Sequence, residues 1–444
     1  MECEVIVVGG GIGGLTAAAL LAARGVDVCL FERQSHVGGC VAKVEHLGRS
    51  FDPTFGLYSG WEAGGVWESV FAKLPAAPPA VTKLSPNFVV RLPDGADVPV
   101  SSDREALQQS VASAFPDCAG KASQFVRAVL DSDTDLESLD ETSASFRAFI
   151  DAQLLFLAQR TLGDAEPSGV SDTLRLATGD LWEIEGGAHS LADRLAFSFK
   201  QSGGNLRLNS PVLRLAYGNN GKPVGVDLLS GERVTATRAI VSNLTVWDTY
   251  GKLVGLRHTP ASISAQLKQT RAWGVYQVFM RIEEDAVAGL PCPRLVLALD
   301  AEETSAPPPH LMLNVTAAKN QSPSSDSATL SAFTDSDDWF AFHDDASWQE
   351  EQDQAALEEI WSRLHRAAPE IAGSAEVFET ATPHTYYESV RRKMGTVGSP
   401  KPSGYGPVSR FENLFLIGDT VAHHFGLEGI ADEAYRLAHT LVDK

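Results

Sequence analysis

The sequence predicts an α/β protein: a Rossmann-like, parallel-sheet nucleotide-binding domain carrying an inserted α+β domain. Three observations predict it. An apolar run near the N-terminus is broken by five glycines, the next apolar run is closed by Glu32, and a third run near the C-terminus ends in Gly418-Asp419.

Taken in order, Glu4–Val8 is a short β-branched run of the kind that forms a buried parallel strand, and Leu15–Arg24 is rich in helix formers. Between them Gly9, Gly11 and Gly14 stand at Gly-x-Gly-x-x-Gly spacing, with Ile12 and Gly13 inside the turn. The first glycine permits the sharp turn, the second lets backbone approach a pyrophosphate, and the third allows close helix–strand packing. The helix N-terminus then offers N–H groups and a positive dipole end to phosphate. Asp27–Phe31 reads as a second strand, and Glu32 follows it, 18 residues after Gly14. A carboxylate there accepts both hydrogen bonds of a ribose diol. Glutamate rather than arginine disfavours a 2′-phosphate, which leaves FAD or NAD.

The balance of 36 Lys+Arg against 57 Asp+Glu gives a net charge of −21. Such a surface repels phosphate backbones and anionic lipid, so no nucleic-acid partner is expected. Hydrophobic residues at 44% support a large core, and charged residues at 21% exclude wholesale disorder. Cys3, Cys29, Cys40, Cys118 and Cys292 are scattered without a Cys-x-x-Cys pair, which argues against a disulfide framework or structural zinc and for a reducing compartment.

Val5–Ala23 is uncharged and imitates a membrane segment, but each of its central glycines costs a helix interior about 0.8–1 kcal/mol relative to alanine. Glu2 and Glu4 stand where a secretory signal needs basic residues. The expectation is a cytoplasmic protein without signal peptide or transmembrane helix, with peripheral membrane contact left open. Eleven acids and no Lys or Arg lie between Asn320 and Ser362, and six acids between Asp131 and Glu141. The pairs Asp337-Asp338 and Asp344-Asp345 lack EF-hand spacing, so these stretches read as solvated surface and no metal is expected.

Further motifs carry a resemblance. Gly38-Gly39, followed by residues 48–56 with Asp52 and Phe55, resembles the second glycine signature of the FAD-dependent amine oxidase, protoporphyrinogen oxidase and phytoene desaturase superfamily. Asn413–Thr420 and Gly426–Gly429, ahead of a helical stretch from Ile430 to Val442, resemble its C-terminal flavin motif. Glu183–Leu195, Gly203–Val212 and Ala239–Asn243 resemble the phytoene desaturase and carotene isomerase branch in particular. The resemblance implies a fold of the glutathione-reductase and amine-oxidase type and FAD as cofactor. It implies cofactor contacts from Gly9, Gly11, Ile12, Gly13, Gly14, Glu32, Arg33, Gly38, Gly39, Val212, Gly418, Asp419, Gly429 and Ile430, with Asp419 on the ribityl chain. The final helix would point its N-terminal dipole at the flavin N1/C2=O edge, where negative charge develops on reduction.

The signatures divide the chain into a discontinuous FAD-binding domain (1–74, 181–256 and 401–444) and a substrate domain (75–180 and 257–400). The first insertion reads as helical over Arg104–Phe115, Ala122–Leu130 and Ser143–Leu162; the second holds a strand at Val275–Ile282 and a helix near Glu350–Ala368. No second Gly-x-Gly-x-x-Gly marks a nicotinamide domain. Electrons would therefore pass through a diffusible acceptor or donor: oxygen, a quinone or a reduced carrier.

The resemblance implies oxidoreductase activity on a hydrophobic isoprenoid or polyene, by desaturation, saturation or flavin-assisted isomerisation. Two alternatives stay open: an amine or protoporphyrinogen oxidase, and a non-catalytic prenyl-binding chaperone that keeps the glycine turn. Candidate catalytic groups are His423, His424 and Tyr58, since imidazole and phenol beside a flavin can move a proton. Phe55, Trp61, Trp273 and Tyr276 are the candidate substrate pocket. Cys40 stands where many relatives carry arginine, and it reads as a small buried residue. Arg391-Arg392-Lys393 reads as a solvated basic patch.

Overall fold

The computed structural model describes residues 1–46, 49–131, 139, 141–163, 166–269, 272–300, 307–316, 326–342, 345–398, 411–422 and 426–442. Gly48, Asp344, His423 and His424 lie outside them, so the catalytic expectation for the two histidines falls beyond the described residues.

The first of two large sheets has the strand order Val212–Tyr217, Pro223–Leu228, Arg233–Ser242, Glu2–Val8, Val28–Phe31, Asn205–Arg207, with Leu414–Leu416 added beside Arg233–Ser242. Glu2–Val8 is parallel to both neighbours, Ile6 standing opposite Ile240 on one side and Cys29 on the other. Arg233–Ser242 changes partner along one edge: Arg233–Thr235 pair antiparallel with Gly225–Asp227, and Ile240–Ser242 pair parallel with Leu414–Leu416.

Both faces of this sheet are covered, and that is why its strands read as unbroken apolar runs. Val5 and Val7 pack against the helices Ile12–Ala22, Ala188–Gln201 and Gly426–Val442, whereas Ile6 and Val8 join Phe31, Ile240, Trp247 and Tyr250 on the other face. Every residue of Ile12–Ala22 is buried. A helix apolar all round needs a core, not a bilayer, when neighbouring helices and a sheet enclose it. Among the described residues no helix is long and apolar enough to cross a membrane.

The second sheet runs Ala375–Ala381, Gly274–Ile282, Asp326–Thr334, Leu311–Thr316, Arg294–Leu297, Phe88–Arg91, Asp97–Val100. It is antiparallel apart from the parallel pairing of Arg294–Leu297 with Phe88–Arg91. Alternation sends Val296 toward the helices Arg104–Ala114, Ala119–Leu130, Ala144–Ala158 and Pro167–Thr178, and Leu295 toward Ala346–Ala367.

The expected helix over Ser143–Leu162 stops at Ala158. Gln159 turns left-handed at φ 53°, its N–H donating to Leu155 O, and Arg160 N–H reaches back to Leu154 O. That pair of bonds closes the helix at a left-handed residue that is not glycine, so periodicity alone runs past it.

Candidate functional site

A cavity of about 790 Å³ opens at the carboxyl ends of the first sheet's parallel strands, where ligands bind in open α/β sheets. Its wall includes Gly9, Gly11, Ile12, Gly13, Glu32, Arg33, Gly38, Gly39, Val212, Gly418, Asp419 and Ile430. Gly14 and Gly429 stand behind the wall. A Cβ on Gly14 would lie 2.1 Å from Gly9 O, so Gly14 is there to let the helix close on the strand. A Cβ on Gly11 would meet Asn243 Nδ2 at 2.7 Å. Asn243 itself is anchored by its N–H on Val8 O at 2.9 Å and lines the cavity, a role its place at a strand end did not announce.

No side chain caps the helix Ile12–Ala22, which leaves its first amides to a ligand. Gly38 N–H donates to Gly10 O at 2.9 Å and pins the second glycine signature to the first. Glu32 is buried; its Oε2 accepts from Gly10 N at 2.7 Å and its Oε1 from Gln34 N at 2.8 Å. Each carboxylate oxygen keeps a lone pair for a ribose hydroxyl, so the glutamate fits an adenosine ribose already aimed. The donor set and the uncapped helix therefore fit a dinucleotide.

Asp52 joins the second signature to the middle motif. Its Oδ2 accepts from Tyr58 OH at 2.7 Å, and its Oδ1 accepts from Thr54 N at 3.0 Å and Thr54 Oγ1 at 2.8 Å. Ala188 N, at the start of the helix Ala188–Gln201, donates to Oδ2 at 3.4 Å. The Gly187 Cα approaches so closely that a Cβ there would sit 2.8 Å from Asp52 Oδ2, at a φ of +87°. Tyr58 does line the cavity, but burial first, and the Asp52 charge second, push its phenol well above the usual tyrosine range. It holds its proton.

Arg392 departs from the solvated patch expected of residues 391–393. Its side chain is 13% exposed and lines the cavity, with Nη2 donating to Asp419 Oδ2 at 2.7 Å and Nη1 to Oδ1 at 3.3 Å. Gly398 N adds a bond to Oδ2 at 3.0 Å. The acid of the Gly-Asp motif buried this arginine, which sequence proximity could not reveal. Cys40 lines the same region and is only partly buried; burial pushes its thiol up while the Arg392 charge pulls it down. A cation thus stands beside Cys40, delivered from a distant segment. Asp248, also missed, pairs with Lys252 Nζ at 2.7 Å and accepts from Lys393 N at 3.1 Å.

The far end of the cavity is apolar: Phe55, Leu57, Phe156, Leu157, Leu176 and Leu181. Phe55 is held edge-on by Phe156, with ring centroids 5.4 Å apart. Trp61, Trp273 and Tyr276, expected in the pocket, are not in its wall. Trp61 stacks on Trp67 at 5.4 Å in the helical core, and Trp273 packs on Phe333 at 6.0 Å. Tyr276 points through the other face of its strand, where its hydroxyl donates to Asp353 Oδ1 at 2.6 Å. Strand alternation gives the cavity Val275 and Gln277 instead. Gln277 is fully buried; its Nε2 donates to Pro53 O at 2.9 Å and Ser331 Oγ at 2.8 Å, and its Oε1 accepts from Tyr386, another lining residue. Burial pushes the Tyr386 phenol upward, so it too stays neutral.

Comparison with known proteins agrees with this geometry. Residues 7–74 match the model of the NAD(P)-binding Rossmann-like domain, and residues 91–439 match that of the flavin containing amine oxidoreductase. The chloroplastic prolycopene isomerase of Daucus carota is 24% identical over 496 residues, covering 99% of this chain and 80% of the isomerase. A neurosporene-forming phytoene desaturase of Rhodobacter capsulatus is 24% identical over 295 residues, 56% of this chain and 54% of the desaturase. Among solved structures, an oxidoreductase from Methanosarcina mazei superposes with a TM-score of 0.68 at 16% identity, over 99% of this chain and 100% of that one. Cyclohexylamine oxidase from Brevibacterium oxydans does so at 0.58 and 18% identity, over 100% and 99%. The family match spans most of the chain, from the second sheet to the last helix, and with the glycine cradle it makes the protein a member of the flavin containing amine oxidoreductase family, a flavin-containing oxidoreductase of the amine oxidase and carotenoid desaturase superfamily.

Proposed function

We propose that the protein is an FAD-dependent oxidoreductase acting on a hydrophobic isoprenoid or polyene chain, by desaturation, saturation or flavin-assisted isomerisation. The observation that carries this reading is the continuity of one cavity from the glycine cradle and Glu32 to a wall of Phe55, Leu57, Phe156, Leu157, Leu176 and Leu181. Relatives named for prolycopene and phytoene support the same substrate class.

FAD, when bound, supplies exchange of a hydride or electron pair with the substrate. Gly11, Ile12 and Gly13 would meet its pyrophosphate, Glu32 its adenosine ribose and Asp419 its ribityl chain, with Arg33, Gly38, Gly39, Val212, Gly418 and Ile430 around them and Gly9, Gly14 and Gly429 shaping the backbone behind. The chain's own tasks are to hold an apolar substrate, exclude water and keep neutral phenols at Tyr58 and Tyr386. A diffusible carrier such as oxygen or a quinone exchanges the electrons.

An amine substrate finds less support here. The carboxylates lining the described wall, Glu32, Asp248 and Asp419, are each engaged: by backbone amides, by Lys252 and by Arg392. With Glu32 assigned to the cofactor ribose and Asp248 and Asp419 paired with cations, none of the three is left to receive an ammonium group. The test is to follow the flavin absorption band of the FAD-loaded protein, oxidised and reduced, with carotenoids, prenyl compounds and amines. Conversion or spectral change with a polyene is expected; bleaching by an amine alone sinks the proposal, and a colourless protein that takes up no FAD sinks the enzyme reading.

A further inference from the structure

Asn243 follows the strand Arg233–Ser242 and lines the cavity between the glycine turn and Gly418. Its carboxamide fills the space that side chains at the motif glycines would take: a Cβ on Gly11 would lie 2.7 Å from Nδ2, one on Gly13 2.6 Å from Oδ1 and one on Gly418 3.2 Å from Oδ1. The carboxamide does not cap the neighbouring helix Ile12–Ala22. It makes no hydrogen bond among the described residues, and neither of its polar atoms is closed to solvent. Its donor and acceptor therefore face the cavity with their bonding capacity unused. Exchanging the amide oxygen and nitrogen leaves the same result, since both atoms lie against the glycine turn and neither is bonded there.

A dinucleotide brings the negative charge of its diphosphate to this turn, and the arginines and lysine of the described wall are turned to protein oxygens. Arg33 donates to Ser389 O at 2.8 Å, Lys252 lies 2.7 Å from Asp248 Oδ1, Arg391 lies 3.3 Å from Glu388 Oε2, and Arg392 lies 2.7 Å from Asp419 Oδ2. The net charge of −21 gives no general attraction for an anion either. What stands at the turn is neutral: the first amides of the helix Ile12–Ala22 and the Asn243 carboxamide. An N–H bonded to an ionised oxygen is roughly twice as strong as one bonded to a neutral acceptor, so neutral donors suffice where several converge.

We infer that Asn243 is a cofactor-binding residue whose amide N–H donates to the diphosphate of FAD, and that the chain recognises this group through neutral donors rather than through a side-chain cation. The glycine spacing then serves a side chain as well as the backbone, because a Cβ at Gly11 or Gly13 would displace the carboxamide. Asparagine is the residue that fits. Aspartate would set a carboxylate against the phosphate charge, and an apolar residue of the same size would offer no donor. The inference rests on the reading that the glycine turn and Glu32 take FAD.

The experiment is calorimetric titration of FAD, ADP and adenosine into the flavin-stripped full chain, as wild type, Asn243→Ala and Asn243→Asp. Asn243→Ala is expected to weaken FAD and ADP alike by about tenfold or more, since both carry the diphosphate, and to leave adenosine unchanged. Asn243→Asp is nearly isosteric and is expected to weaken both by about a hundredfold through repulsion. The same variant is expected to keep or raise the thermal midpoint of the flavin-free protein, because a carboxylate near a helix N-terminus is stabilising. A merely structural asparagine would not set stability and affinity in opposition. Variants that bind FAD and ADP as wild type does overturn the inference and leave the FAD reading standing. A loss confined to FAD, or shared equally by adenosine, assigns the carboxamide to another part of the cofactor and overturns it as well. Wild type that binds neither FAD nor ADP overturns the cofactor reading itself. If the aspartate variant does not fold, Asn243→Ala carries the same comparison of the three ligands.

Discussion

Arg392 grips Asp419 through two guanidinium nitrogens, at 2.7 and 3.3 Å, inside the wall of the cavity. The two residues are 27 positions apart and come from different motifs. Asp419 ends the last apolar strand run, and Arg392 follows the helix Pro383–Val390 that carries Tyr386.

Removing the guanidinium leaves a partly buried carboxylate, 29% exposed, with the Gly398 amide as its donor. Arg392→Gln is expected to cost about 2–3 kcal/mol of stability, below the full value for a buried pair because Asp419 keeps some solvent contact. Arg392→Lys is expected to fall between the two, since an ammonium restores charge but not the fork. Urea denaturation with and without FAD measures both.

Glu32→Gln is expected to weaken FAD binding by about tenfold or more, through loss of charge-assisted bonds to the ribose and a poorer partner for Gly10 N–H. Reconstitution of apoprotein, followed by flavin fluorescence, gives the dissociation constant. An unchanged value would remove Glu32 from the cofactor site.

Gly187→Ala places a Cβ 2.8 Å from Asp52 Oδ2 at a φ of +87°, whereas Gly95→Ala meets nothing within 4 Å at a φ of +88°. At Gly187 ψ is 177°, an extended positive-φ conformation that alanine adopts only with strain, and the added Cβ also displaces Asp52 from Tyr58. Gly187→Ala is therefore expected to lose about 2 kcal/mol or more of stability beyond the loss in Gly95→Ala. Urea denaturation of the two variants measures the difference.

Tyr58 has a phenol raised above its unfolded value, so its contribution to stability is complete below the unfolded pKa of about 10 and is lost as pH rises beyond it. Wild type should lose stability above about pH 10 more steeply than Tyr58→Phe. At neutral pH that variant costs about 1 kcal/mol, because Asp52 loses one donor. Thermal unfolding from pH 7 to 11 tests both statements.

Tyr276→Phe loses the hydroxyl's bonds to Asp353, on the far side of the second sheet from the cavity. A stability cost of about 1 kcal/mol with unchanged ligand affinity is expected. Weaker ligand binding would return Tyr276 to the pocket.

Local chemistry carried a good part of this protein. The turn at Gly9–Gly14 and the acid at Glu32 lie within one strand, turn, helix and strand, so their local geometry follows from spacing. The helix expected over Ile430–Val442 runs from Gly426 to Val442, and the strand expected over Val275–Ile282 runs from Gly274 to Ile282. The substrate pocket was not: Tyr276 and Gln277 are neighbours in sequence, yet pleating sends the tyrosine to Asp353 and the glutamine to the cavity. An aromatic residue looks like a pocket wall in a sequence, and only the sheet's two coverings decide which parity faces the ligand.

By itself, then, the sequence determined the glycine turn between the first strand and the helix Ile12–Ala22 and the carboxylate after the second strand, because a tight turn, a close backbone approach and a strand end are all short-range demands. The tertiary structure decided everything that depends on segments far apart meeting: Asp52 beneath Gly187, Arg392 on Asp419 and Asn243 against Gly11. Burial creates those relationships, since a polar group removed from water must find a partner in space, and the chain does not record in its order which partner that will be.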